Sequence, residues 1–171
     1  MGDDVEYSTL TIGGRASTAE REQAEFLGFV MSMAAHSALN NRTAISTLVE
    51  RAKTAYGLGM AHLFFNSYGQ CVGYISWAHI ARDVEQRFLS TPDASLHISE
   101  WNEGNSLWVI DFVVPFGSLR YVLEDLRDRL FAEHRVITYF RFKNGRRIAK
   151  RLSRDSVSGF FSKDRSIPEC G

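Results

Sequence analysis

Cysteine is scarce in this chain: Cys71 and Cys170 are the two among 171 residues. Two thiols so far apart give neither a disulfide framework nor the ligand spacing of a zinc site. Cys71 lies in a strand-like run and reads as a small core residue, and a reduced, cytoplasmic protein is the expectation. Long apolar runs are missing as well, and no stretch approaches the roughly 18 residues of a membrane-spanning helix. The first ten residues, MGDDVEYSTL, carry acids where a secretory leader has bases and an apolar centre. Met1-Gly2 alone is a weak myristoylation signal. There is no internal repeat and no linker-like composition. Residues 1–171 are therefore expected to form one domain, with 1–16 and 155–171 loosely ordered.

Net charge is also absent, since 20 Lys and Arg balance 20 Asp and Glu. The balance hides an asymmetry. Residues 1–25 hold six acids against two bases, whereas residues 135–154 hold eight bases and no acid. The basic segment reads either as a solvated face or as a docking surface for an anionic partner. Nucleic acid is not expected, because aromatic interleaving stops at Tyr139, Phe140 and Phe142 and no recognition motif surrounds them.

What is present is a clear alternation of helical and strand periodicity. Ser17-Thr-Ala-Glu20 is a capping box, followed by Phe26, Leu27, Val30, Met31 and Ala34 at helical spacing, which predicts a helix over 18–36. Residues 38–42 read as a break. Thr43 is expected to cap a second helix with a stripe of Ile45, Leu48, Val49 and Ala52, ended by Gly57 and Gly59. Strands are expected at 61–65 and 71–77, joined by a hairpin loop. A short amphipathic helix over 80–90, a polar loop over 92–104 and an apolar strand over 107–114 follow. Ser118 is placed to cap a helix presenting Leu119, Val122, Leu123, Leu126 and Leu130. A strand at 136–142, the Asn144-Gly145 turn and a returning strand over 147–152 complete the order, with a loose tail from Ser153. Hairpins beside helices predict a mixed, largely antiparallel sheet covered by helices, an α/β class.

One residue stands out. Asp111 sits inside Trp108-Val-Ile-Asp-Phe-Val-Val-Pro-Phe-Gly117, a run that otherwise reads as a buried strand. Burying an ionised carboxylate costs several kcal/mol unless it is paired or hydrogen-bonded. Simple alternation puts Trp108, Ile110, Phe112 and Val114 on one face and Val109, Asp111 and Val113 on the other. Asp111 is thus either a structural carboxylate met by amides or an arginine, or an orienting, proton-handling group near the strand end.

Three blocks resemble the toxin-activating lysine acyltransferases of RTX haemolysins and leukotoxins. One is Val72-Gly-Tyr-Ile-Ser-Trp-Ala78. The second is Trp101-Asn-Glu-Gly104 followed by the Trp108–Gly117 run. The third is Leu27-Gly28 opening a Met-rich helix that ends in Ser37-Ala-Leu-Asn40. Together they cover roughly residues 25 to 150. The resemblance implies a GNAT-like fold and transfer of a fatty acyl group from acyl-acyl carrier protein to a lysine amine of a protoxin. Acyl-acyl carrier protein is then a substrate and no cofactor is expected, nor any metal. In keeping with this, no glycine-rich loop for a coenzyme A pyrophosphate is found at a strand-to-helix turn, which disfavours a coenzyme A-dependent acetyltransferase. The family is often dimeric, so a homodimer is also an expectation.

The resemblance further implies an active His–Asp pair. The aspartate falls on Asp111. The histidine position is occupied by Asn40, and His36 lies about one helical turn earlier. Three readings stand: His36 supplies the imidazole; Asn40 replaces it; or the chain is an impaired variant that only binds its partners. An amide can orient a substrate or donate to an oxyanion, but it cannot serve as a base near neutral pH. Ser37, Trp77, Trp108 and Arg141 are candidate substrate-binding residues, with core packing as the competing reading for both tryptophans. His62, His79, His97 and His134 read as structural or surface residues. The acceptor is expected to be a protoxin, with a lysine or ornithine of a ribosomal precursor peptide as the alternative.

Overall fold

A computed structural model describes residues 15–37, 43–91, 95–143 and 146–154. The expectations for residues 1–14, for the break at 38–42 with Asn40, for the Asn144-Gly145 turn and for the tail beyond 154 lie outside the described residues.

The first helix, α1 (Thr18–Ala35), begins where its capping box predicts. The Glu20 carboxylate accepts from the Ser17 backbone N–H at 2.8 Å, and the Ser17 hydroxyl accepts from the Glu20 N–H at 3.2 Å. Its inner face is Phe26, Val30, Met33 and Ala34. Helix α2 (Ile45–Gly57) buries Leu48, Ala52 and Ala55. Two expectations fail at its start. Thr43 does not cap it, because Ala44 takes the N-cap position without a side-chain bond, and Ile45 in the first turn is exposed. The chain leaves α2 through Gly59 in a left-handed conformation, φ 66°.

Five strands follow: β1 (Ala61–Phe65), β2 (Cys71–Ile80), β3 (Ser106–Val113), β4 (Val136–Lys143) and β5 (Arg146–Ser153). They lie in the order β1-β2-β3-β4-β5. All neighbours are antiparallel except β3 and β4, which run parallel and register at only Trp108↔Thr138 and Val109↔Tyr139. Strand β2 runs to Ile80, past its expected end, so helix α3 (Arg82–Ser90) starts later than its sequence pattern suggests. The stretch expected as loop contains a 3-10 turn, Ile98–Trp101. Helix α4 (Leu119–Asp125) widens into a π-helical turn at Leu126–Leu130, where the Phe131 N–H reaches back to the Leu126 carbonyl at 2.8 Å. Ser118 is its N-cap by position, but its side chain makes no cap bond. Among the described residues no helix is long and apolar enough to cross a membrane.

The helices divide between the two sheet faces. Phe26, Val30 and Met33 of α1 and Ala52 of α2 pack with Tyr74 and Val113. Ala55 of α2 and Val84 and Phe88 of α3 pack with Ala78, Ile80 and Trp108. On the other face, Val122, Leu126 and Phe131 cover Phe64, Val72, Ile75, Leu107 and Ile137. This is an α/β fold with a mixed, largely antiparallel open sheet and helices on both sides, a GNAT-like arrangement.

A β-bulge decides which way the key strand faces. Ser76 pairs with Asp111 while the next residue, Trp77, pairs with Val109, so Ile110 is the extra residue on β3. The insertion shifts the alternation by one. Leu107 and Val109 lie with the α4 cluster, whereas Trp108 and, three residues on, Asp111 and Val113 face the α1–α3 side. Strict alternation put Val109 and Asp111 on one face; the bulge separates them.

Gly104 holds the approach to β3. The N–H groups of Glu103 and Gly104 both donate to the His79 carbonyl, at 3.0 and 2.9 Å. A side chain at 104 would overlap the backbone of Ile80 and Ala81. Trp101, three residues earlier, is buried in the core.

Candidate active site

Turned inward by the bulge, Asp111 is 7% exposed. The β2–β3 register brings Ser76 directly opposite it. The Ser76 hydroxyl donates to Asp111 Oδ2 at 3.2 Å and accepts from the Asp111 backbone N–H at 3.2 Å. Two residues back along β2 and on the same face lies Tyr74. Burial first, and then the Asp111 carboxylate, hold its hydroxyl protonated well above the usual phenol range, so it is a donor at neutral pH; Arg51 and Ser76 act in the opposite sense. From α2, Arg51 brings Nη2 to 3.0 Å from Asp111 Oδ1. That contact is an ion pair off the hydrogen-bonding direction: among the described residues neither Nε nor Nη2 of Arg51 has a hydrogen-bond acceptor, although both atoms are buried. The centre is therefore one carboxylate, one guanidinium and two hydroxyls, gathered from α2, β2 and β3.

The other described residues expected from sequence make contacts of their own, and Asn40 lies outside the described residues. His36 is the exposed C-cap of α1. Its Nδ1 lies 2.8 Å from the Ser32 carbonyl, to which it donates, and its ring meets Phe116 edge-on at 5.0 Å. Among the described residues no hydrogen bond joins it to Asp111. Ser37 is half-buried, and its N–H bonds the Ala34 carbonyl. Trp77 lies on the α4 face, its ring edge-on to Phe131 at 5.5 Å. Trp108 has no exposed surface, and its indole N–H donates to Glu85 Oε1 at 3.1 Å. Arg141 is exposed on β4, opposite Ile148.

Arg51, Ser76 and Tyr74 were not singled out from sequence. The signal for Arg51 was present: it falls one turn from Leu48 and Ala55 on the buried stripe of α2. Ser76 and Tyr74 stood inside the Val72–Ala78 block, but which of its side chains share a face with Asp111 depends on the bulge.

Two further features frame the centre. Registered pairing of β3 with β4 stops at Val109, two residues before Asp111. In open α/β sheets such a place, at the carboxyl ends of parallel strands, is where ligands enter. The basic segment also divides. Arg147 stacks its guanidinium 3.9 Å from the Phe140 ring and donates to the Phe88 and Thr91 carbonyls. Arg151 pairs with Glu85. Arg154 donates to the carbonyls of His134, Arg127 and Phe131. Arg141 and Lys150 are exposed on the opposite face of β4 and β5, beside Tyr139 and Ile148.

A carboxylate held by two hydroxyls and a cation can orient an incoming ammonium or amine and receive its proton. A planar guanidinium edge beside it can hold an oxygen carrying developing negative charge. Against known proteins, the model of the RTX toxin acyltransferase family matches residues 19–154. The lysine-acyltransferase RtxC of Vibrio cholerae serotype O1 is 26% identical over 107 residues, 63% of this chain and 69% of that protein. The RTX-II toxin-activating lysine-acyltransferase ApxIIC of Actinobacillus pleuropneumoniae is 28% identical over 103 residues, 60% of this chain and 63% of that protein. The leukotoxin-activating lysine-acyltransferase LtxC of Aggregatibacter actinomycetemcomitans is 32% identical over 99 residues, 58% of this chain and 57% of that protein.

Proposed function

The chain belongs to the RTX toxin acyltransferase family, and from that premise we propose that it moves a fatty acyl group from acyl-acyl carrier protein to a lysine amine of a protein toxin. The observation that carries the reading is the buried Asp111, held by Ser76 and Arg51 two residues beyond the last registered pair of β3 and β4. A thioester arm entering where those strands cease to register would reach the α1–α3 face near the carboxylate. There Asp111 orients the acceptor amine and takes its proton, and the thiol of the carrier leaves. The exposed pair Arg141 and Lys150 gives an acidic carrier protein a cationic landing point, with Tyr139 and Ile148 as apolar neighbours.

The test is a transfer assay read by mass spectrometry. The native protein is incubated with carrier proteins charged with short, medium and long acyl chains and with a protoxin or lysine-containing acceptor. One acyl increment on a lysine is the expected product. Asp111→Asn should lower the rate by about 100-fold or more with the fold retained. Failure of the native protein to transfer any chain length would reject the reading.

A further inference from the structure

Arg51 carries an arrangement that packing alone leaves unexplained. Its Nε and Nη2 are shut off from solvent, yet among the described residues neither meets a hydrogen-bond acceptor. A buried N–H without an acceptor is destabilising, so native proteins rarely keep one without a use. These two nitrogens form one edge of the guanidinium plane, with parallel N–H bonds that match a single oxygen or a carboxyl group. The edge lies against Asp111, whose Oδ2 is engaged by Ser76 and whose Oδ1 is 3.0 Å from Nη2. Of the two side chains Arg51 is the more open, 32% exposed against 6% for Asp111, through its atoms other than Nε and Nη2, so an incoming group reaches this edge by shifting the guanidinium.

We propose that the Nε/Nη2 edge of Arg51 receives the thioester carbonyl oxygen of the acyl donor beside Asp111 and holds the oxyanion formed from it. The assignment rests on the acyl-transfer reading above. The acceptor amine attacks the carbonyl carbon and a C–N bond forms as the carbonyl electron pair moves onto the oxygen at Arg51. Asp111 takes the proton shed by the nitrogen. Return of the electron pair breaks the C–S bond, and the departing thiolate collects the proton from Asp111. The carboxylate and the guanidinium thus divide two tasks, proton handling and oxyanion binding, with no imidazole between them.

Arg51→Lys keeps a positive charge against Asp111 and removes the planar edge, so it separates the role from folding. Its kcat should fall by about 50-fold or more with KM for the acyl donor within about threefold. A binding measurement by calorimetry supplies a readout without turnover. Two acyl-pantetheine analogues are compared, one with methylene in place of sulfur and its carbonyl retained, the other with that carbonyl also replaced by methylene. The native protein should prefer the ketone by about tenfold or more, and Arg51→Lys should bind the two equally. A preference unchanged by the substitution, or a kcat within about threefold of native, overturns the role of Arg51 while leaving acyl transfer standing. A native protein that transfers nothing overturns the acyl-transfer reading and this assignment with it.

Discussion

Two carboxylates are clamped by arginines on the α1–α3 side of this sheet, and they are finished differently. Glu85 of α3 accepts from the Trp108 indole at 3.1 Å, from the Ser106 hydroxyl at 3.5 Å and from Arg151 at 3.3 Å. Arg151 is 63% exposed, so the donors its partner leaves over are met by water. That cluster ties α3, β3 and β5 together and leaves no donor waiting. Asp111 has the same kinds of partner, a hydroxyl and an arginine, yet two buried nitrogens of its arginine have no acceptor among the described residues. Equal ingredients therefore give a closed joint in one place and an open one in the other. Polar satisfaction, more than the presence of buried charge, separates them.

Asp111→Ala should test this contrast most severely. It strands a mostly buried guanidinium, and a loss of about 3 kcal/mol in denaturant unfolding is expected, near the low end for broken buried pairs because Arg51 is partly exposed. Combining it with Arg51→Met should restore most of that loss; a double variant as unstable as the sum of the singles would show that the two residues are not coupled. Glu85→Gln comes next, at about 1 kcal/mol, since an acceptor for the Trp108 indole remains. Acyl transfer should survive it within about threefold. A collapse of transfer with the fold intact would place Glu85 in the chemistry and erase the distinction between the two centres.

The smallest effect concerns pH, and it arises outside both centres. Burial is the leading cause that lowers the pKa of His62, His79 and His134 below the ordinary 6.5; Arg129 adds to it at His62, and His79 and Arg154 at His134. Folding keeps these rings neutral, while the unfolded chain takes up protons near 6.5. Stability is therefore full above about pH 6.5 and declines as pH falls below it toward the folded values. Thermal melts between about pH 7.5 and pH 5 should slope downward, and His79→Gln with His134→Gln should flatten the slope. The rings of these two lie 5.5 Å apart. An unchanged slope would move its origin to other groups.

The elements themselves were largely legible. The capping box at Ser17, the helix stripes and the β1–β2 hairpin follow from periodicity and end signals, because each is a local preference that packing reinforces. The position of Asp111 in a buried strand was legible for the same reason. Its surroundings were not. Alternation predicts faces only while the register is unbroken, and the extra residue at Ile110 turns Asp111 toward α1 and α2. The basic stretch read as one charged face, but alternation within β4 and β5 sends Arg147 and Arg151 toward α3 and leaves Arg141 and Lys150 on the other side. Arg51 was visible as a cation on an apolar stripe, and only the fold supplies the carboxylate it meets.

Gly104 has a consequence for how chains of this kind are recognised. A residue with any side chain there would collide with the backbone at Ile80, and Trp101 and Trp108 in the same signature are wholly core. The letters that make the signature easy to spot are demands of assembly. A descendant that abandoned its chemistry would still have to keep them, so the signature sorts chains by architecture. Sorting by activity falls to the few polar positions around Asp111, which a search tuned to tryptophans and glycines passes over.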